Sequence, residues 1–466
     1  MLPSPASTQS DCSGPVARHS HSRTTTLATV VMGVILSQTI YAQSVDVDST
    51  EHPNIVLILA DDMGYGDISC YDGWIKTPNL DRLAAEGLRF TDFHSNGAVC
   101  SPTRAALMTG KYQQRAGIPM VVSVKLRHLG LHQTEVTFAE CLENAGYATA
   151  IFGKWHLGYK TEFNPIHHGF DHFRGYVSGN IDFFSHIDQS GVYDWWSQDK
   201  QAEEPGYVTH LITKHALQFI DENKDEPFCL YMPHEAPHYP YQGPNDGPDR
   251  TVGGKFDTHG SRKDKKEAYR EMVIELDKSV GQIVAKLKER GLERNTLVFF
   301  FSDNGATSLG SCGSLRGTKG TVWEGGHRVP AIARWLSRIN PGEASQTAIG
   351  MDLMPTMLTI AGATPPDDHR LDGVDLSPLL FEGESLDERK LFWEHGGRHG
   401  VRDGNWKLVQ GARGLKEKVG LYNLYDDIGE LDNVATKHPK RVEQMLADLN
   451  EWKADVKKDA TMQATE

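Results

Sequence analysis

The residue types best suited to chemistry sit in three short runs. Cys100 opens the run Cys100-Ser101-Pro102-Thr103-Arg104, which places a thiol beside a proline and a guanidinium. Taken alone, a single cysteine reads as a small buried residue. Asp61 and Asp62 close the apolar run NIVLILADD, and Asp303 and Asn304 close TLVFFFSDNG. Such acidic and amide pairs also serve as turns and helix caps. Here all four offer only oxygen ligands, which suit a hard cation such as Ca2+ or Mg2+ and argue against Zn2+. Each pair ends a strand-like segment, and sites in open parallel sheets lie beyond the carboxyl ends of strands. Two pairs far apart in the chain can therefore meet in one cleft.

The elements that must position them follow a regular pattern. Apolar runs from Asn54 to Ala60, Ala148 to Phe152, Phe228 to Met232, Leu297 to Ser302 and Ala331 to Trp335 have strand length and suit a sheet buried on both faces. Helical patterns lie between them. Pro78 to Glu86 has proline near its start and Gly87 past its end. From Asp264 to Arg290, apolar residues such as Tyr269, Met272, Val273, Leu276, Val280, Ile283 and Leu287 recur every three or four positions, and Gly291 stops the run. Alternating strands and helices predict an α/β fold with a large, mostly parallel sheet between helices. The pattern changes after about Glu384. Leu391 to Glu394, the Asp403-Gly404 segment, Trp406 to Val409 and Leu421 to Tyr425 read as short strands with a hairpin turn. A helix after Pro439, with Val442, Met445, Leu449 and Trp452 on one face, completes a small antiparallel sheet carrying one helix.

Bulk properties narrow the class. With 39% hydrophobic and 24% charged residues the chain has globular composition, and its 466 residues predict a large domain plus a smaller one. Arg18 and Arg23, the apolar stretch Leu27 to Leu36 and small residues near Ala42 form a secretory signal; as a membrane anchor the apolar run is too short. Residues 1–43 are thus expected to leave, 44–384 to form a catalytic domain and 385–466 a C-terminal subdomain, in a secreted or periplasmic protein without a membrane span. Losing Asp11, Arg18 and Arg23 makes the mature chain slightly more acidic than the full chain's net charge of -14, which excludes a nucleic-acid binder by composition. Cys12 leaves with the signal. Cys70, Cys100, Cys141, Cys229 and Cys312 remain, an odd set in which at least one is free or altered, and Cys100 is the candidate for alteration.

The run CSPTR followed by AALMTGKY resembles the signature of type I sulfatases, the formylglycine-dependent members of the alkaline-phosphatase superfamily. PNIVLILADDMGYGD, GKWHLG, APHYP, SDNG, KGTVWEGGHRVP, GNWKLV and LYNLYDD extend the resemblance over nearly the whole mature chain. Among members of the family, the chain is similar to arylsulfatase A and the N-acetylgalactosamine-6-sulfatases. The resemblance implies an alkaline-phosphatase-like sandwich. It also implies that Cys100 is oxidised to formylglycine by a formylglycine-generating enzyme, and that Asp61, Asp62, Asp303 and Asn304, with the oxygen at position 100, hold one ion, calcium in preference to magnesium. Arg104, Lys154, His156, His238 and Lys319 match active-site positions.

The resemblance further implies hydrolysis of sulfate monoesters. The hydrated aldehyde attacks sulfur to give a covalent sulfated intermediate, His238 or Lys319 protonates the leaving alcohol, and His156 takes a proton as sulfate is expelled. The expected substrate is a sulfated glycan attacked from its end, or another sulfate ester. A phosphonate or phosphodiester hydrolase of the same superfamily and an unconverted, silent glycan-binding protein are the alternatives. His167, His168, Asp171 and His172 read as surface, supporting or ligand residues. Trp195 and Trp196 read as packing or as a sugar platform, and Ser178 to His186 as a pocket wall.

Overall fold

A computed structural model describes residues 52–463, so the expected signal segment lies outside the described residues. A ten-stranded mixed sheet forms the centre. Its order is Gly342–Ala344, Leu88–Phe90, Ala331–Arg334, Thr296–Ser302, Asn54–Ala60, Phe228–Pro233, Ala148–Lys154, His172–Tyr176, Trp196–Ser197, Lys200–Gln201. The five strands from Thr296–Ser302 to His172–Tyr176 run parallel, and Ala331–Arg334 pairs antiparallel at their flank.

Alternation along the central strand explains the layers. Ile55, Leu57 and Leu59 join one core, which includes Phe138, Leu142, Met354 and Leu358 from the Phe138–Asn144 and Leu353–Ala361 helices. Val56, Ile58 and Ala60 join the other, with Leu211, Ile212, Met272 and Leu276 from the Val208–Glu222 and Lys265–Glu289 helices. Each such aliphatic side chain, fully buried, stabilises the fold by about 1.5–3 kcal/mol. The Lys265–Glu289 helix begins where Asp264 accepts the Glu267 N–H at 3.1 Å, an N-cap.

A separate antiparallel sheet comprises Lys390–His395, Arg398–Asp403, Trp406–Gln410 and Val419–Asn423, and the Pro439–Asp455 helix lies on it. Leu391, Trp393, Val401, Leu408 and Leu421 share a core with Met445, Leu449 and Trp452 of that helix and with Ala106 of the Cys100–Thr109 helix. The small sheet is therefore packed against the back of the helix that Cys100 begins.

Candidate active site

Register brings the two acidic pairs together. Asn54–Ala60 and Thr296–Ser302 are parallel neighbours with Ala60 opposite Ser302, so both pairs leave adjacent carboxyl ends. The Asp303 N–H continues the ladder to the Ala60 carbonyl at 3.0 Å, and Asp62 turns away in the left-handed region at φ 70°. Lys154 ends the Ala148–Lys154 strand, His156 follows it at φ 57°, and His238 follows Phe228–Pro233. Four neighbouring strands thus deliver seven of the expected residues. Cys100 and Arg104 lie one turn apart on the Cys100–Thr109 helix, every residue of which is buried. Lys319 arrives on the loop that follows Asn304.

Cys100, 2% exposed, is the hub. Its Sγ lies 3.5 Å from Asp61 Oδ1 and 3.5 Å from Lys319 Nζ. Burial and then Asp61 push its thiol pKa up, so the unmodified side chain is a poor nucleophile. Lys154 Nζ pairs with Asp61, and Lys319 Nζ with Asp62 Oδ1 at 2.5 Å. Arg104 donates to Asp303 Oδ2 from Nη2 at 2.8 Å and from Nε at 3.2 Å, and to the Lys154 carbonyl at 3.0 Å. Burial disfavours charge on these cations. The carboxylates outweigh it: Asp303 raises the Arg104 pKa, Asp61 that of Lys154, and Asp62 that of Lys319.

The two histidines differ in tautomer. His156 Nε2 donates to the Val122 carbonyl at 3.1 Å, which leaves a bare, buried Nδ1 without a partner. His238 Nδ1 donates to the Tyr239 carbonyl at 2.6 Å, so its Nε2 lone pair faces Asp62 Oδ2 at 3.7 Å. Burial holds both rings neutral, helped by Lys154 and Arg104 at His156 and by Lys319 and Lys154 at His238.

The donor set fits a hard cation. Asp62 Oδ2 and Asn304 Oδ1 are buried oxygens without a hydrogen-bond partner, an arrangement that is costly unless something else satisfies them. Ligand atoms of Asp61, Asp62, Cys100 and His238 all lie within 4.8 Å of one another. Asp303 borders this group, with Oδ1 accepting the Asp62 N–H at 3.3 Å and Oδ2 turned to Arg104.

Other sequence candidates lie elsewhere. His168 is buried beside Trp155, with burial lowering its pKa to about 4; Asp171 accepts from Thr149, and His172 is exposed. Trp195 is wholly buried, stacked 4.9 Å from His186, and Trp196 donates to Asp194 at 2.6 Å, so both indoles are packed or tied. The Ser178–His186 segment does border the site. Gly179 passes so close to His156 that a Cβ there would lie 2.7 Å from Nε2. Sequence reasoning missed Gly179 and the Val122 carbonyl; a backbone carbonyl leaves no side-chain signal, and only the polar, glycine-containing loop pointed to Gly179.

A sheet whose strand ends converge on an oxygen-rich cluster able to hold a cation, a thiol and a set of lysines, arginine and histidines has the layout of a hydrolase of anionic esters. Residues 53–363 match the family model described as Sulfatase, and residues 318–458 match one described as N-sulphoglucosamine sulphohydrolase, C-terminal. The chain belongs to the sulfatase family and is a sulfuric ester hydrolase. Over 374 residues it is 37% identical to N-acetylgalactosamine-6-sulfatase of Mus musculus, covering 74% of this chain and 69% of that one. Over 389 residues it is 38% identical to arylsulfatase A of Homo sapiens, covering 76% and 74%. The crystal structure of Ps i-CgsB in complex with k-i-k-neocarrahexaose superposes with a TM-score of 0.79 at 27% identity, covering 89% of this chain and 96% of that one. Among the described residues no helix is long and apolar enough to cross a membrane.

Proposed function

We propose that the protein hydrolyses sulfate monoesters of carbohydrates, acting from a chain end, with residue 100 as formylglycine and one calcium ion. The observation that carries this reading is the position of Cys100, 3.5 Å from both Asp61 and the Lys319 ammonium, at the N-terminus of a buried helix beside orphaned oxygens. The relatives' names and the oligosaccharide bound by Ps i-CgsB support a carbohydrate substrate. A calcium ion held by Asp61, Asp62, Asp303 and Asn304, and a hydrated formylglycine at position 100, would supply charge neutralisation and a hydroxyl nucleophile with a second hydroxyl for sulfate release.

The chain's own groups do the rest. Asp61, Asp62 and Asp303 are balanced by Arg104, Lys154 and Lys319, so the cluster is formally neutral until a divalent cation makes it attractive to a sulfate monoanion. Lys319 Nζ, kept protonated by Asp62, donates to the departing ester oxygen. His238, neutral as it stands, assists there once its Nε2 carries a proton. His156 Nδ1, with its lone pair free, accepts the proton whose removal lets sulfate leave. Export of the chain, guided by residues 1–43, and encounter with a formylglycine-generating enzyme belong to the same reading.

Mass spectrometry of the peptide containing residue 100, from active enzyme, tests it; aldehyde in place of thiol is the expected result. Cys100→Ala should lower turnover of a sulfated sugar by roughly 10⁴-fold or more with its circular dichroism unchanged. Retention of more than a small fraction of activity by that variant sinks the reading.

A further inference from the structure

Away from the active site, His94, Glu324 and His327 bring ligand-type atoms within 4.8 Å of one another in a fully buried cluster, as a metal site would. A cation already stands among them. The inaccessible Lys407 ammonium donates to Glu324 Oε1 at 2.8 Å and to His327 Nε2 at 2.7 Å, and it lies 4.7 Å from the centre of the Trp393 ring. An ammonium only donates, so His327 Nε2 accepts and its proton sits on Nδ1. That N–H donates to His94 Nδ1 at 2.9 Å, which places the His94 proton on Nε2, where it donates to Asp92 Oδ1 at 2.9 Å. The chain from Lys407 through both imidazoles to Asp92 therefore has one direction. Burial favours the neutral form of both rings, and Lys407 adds to it at His327.

Lys407 and Arg402 face each other across the Arg398–Asp403 and Trp406–Gln410 strands. Two like charges directly opposite on a sheet destabilise it. Glu324, from the large domain, resolves the conflict, because its Oε1 takes Lys407 and its Oε2 takes Arg402 at 3.2 Å. The short Glu324–His327 helix is bonded to three active-site segments, the first through Gly325, which donates to the Arg316 carbonyl on the loop that carries Lys319 at 2.7 Å. The Gly326 carbonyl accepts from Gly305, beside Asn304, at 3.0 Å, and the His327 carbonyl accepts from Ser95, upstream of Cys100, at 2.7 Å. Gly320, beside Lys319, donates to the Ala98 carbonyl at 2.8 Å.

We propose that the opposed cations Arg402 and Lys407 of the small sheet grip Glu324 and thereby act as positioning residues for Lys319 over residue 100. This rests on the catalytic reading of Lys319 given above. Lys407→Met keeps most of the length of the unbranched side chain and removes its ammonium group. On a sugar sulfate it should lower kcat about 10- to 100-fold with KM within about twofold, the scale of a misplacement near 1 Å. The deciding measurement is a double-mutant cycle with Lys319→Ala. In that background Lys407→Met should cost little more, since both changes act through one group. A defect of folding or ion loading would cost the same factor in both backgrounds, and equal factors overturn the proposal. If Lys407→Met does not fold, Lys407→Gln keeps an N–H donor for His327 and carries the same cycle with a smaller factor. An unchanged kcat in Lys319→Ala alone would instead overturn the catalytic reading of Lys319, and the proposal with it.

Discussion

Two buried clusters of acids and imidazoles occupy this molecule, and they differ in what completes them. At the strand ends Asp62 Oδ2, Asn304 Oδ1 and His156 Nδ1 have no partner. Around Glu324 the carboxylate and both imidazoles are satisfied by Lys407, Arg402 and Asp92, with a lysine ammonium where an ion would otherwise sit. A buried polar group left open costs free energy that a ligand can recover, whereas a closed set gains nothing from one and holds its neighbours in place. The open cluster is thus suited to bind and the closed one to position.

Removal of the ion should produce the largest effect that separates the two. Chelation is expected to abolish turnover and lower the melting temperature, because an ion at about 100 times its Kd stabilises the native state by about 2.7 kcal/mol. Elemental analysis should find one calcium per chain, assigned to the open cluster by its loss in Asp62→Ala and its retention in Lys407→Met. Full activity in metal-free protein, or stoichiometric zinc, would break the contrast.

The histidines and Lys319 sharpen it next. Acid or base help is worth about 10²- to 10⁴-fold. His156→Ala should lose the same factor on aryl and sugar esters and release alcohol in a burst before slow turnover. Lys319→Ala and His238→Ala should lose far more on sugar esters, whose alcohols leave poorly without a proton, and show no burst there. Equal losses on both ester types for all three variants would mean that the division of labour is wrong.

The smallest effect concerns the rim of the closed cluster. Glu430 accepts the Glu324 N–H at 2.8 Å, and burial lifts its pKa from 4.5 to about 8. Between those values the folded chain holds a proton that the unfolded chain has lost, so stability present at low pH drains away as pH rises through this window. Glu430→Gln should flatten that decline, by a few °C in melting temperature near the upper end. A decline as steep as the wild type's would show that Glu430 does not carry it.

Much of this was legible in the sequence for identifiable reasons. The five buried strands were visible because a strand covered on both faces must be apolar throughout, as in Asn54–Ala60 and Thr296–Ser302. Their being direct neighbours was not, since order in a sheet is set by crossovers that leave no local pattern. Leu88–Phe90, Gly342–Ala344 and Trp196–Ser197 are too short to show any period. The grip of Lys407 on Glu324 also escaped sequence reasoning. GNWKLV and VWEGGH each read as part of a family motif, and only tertiary packing reveals that the lysine of one belongs to the glutamate of the other.

Cys100 also sets a clock. At 2% exposure, at the start of a helix covered by the small sheet, its side chain is out of reach of any modifying protein once the fold is complete. Two strands that flank the site, Phe228–Pro233 and Thr296–Ser302, lie far downstream of it in the chain. At about 5–20 residues per second, the roughly 200 residues from Cys100 to the end of the second strand take about 10–40 s to synthesise. Within that interval the thiol is made but not yet enclosed. On the proposed reading, oxidation of this thiol would compete with the arrival of the rest of the chain, and the fraction of molecules that become active would be decided by a race before folding ends.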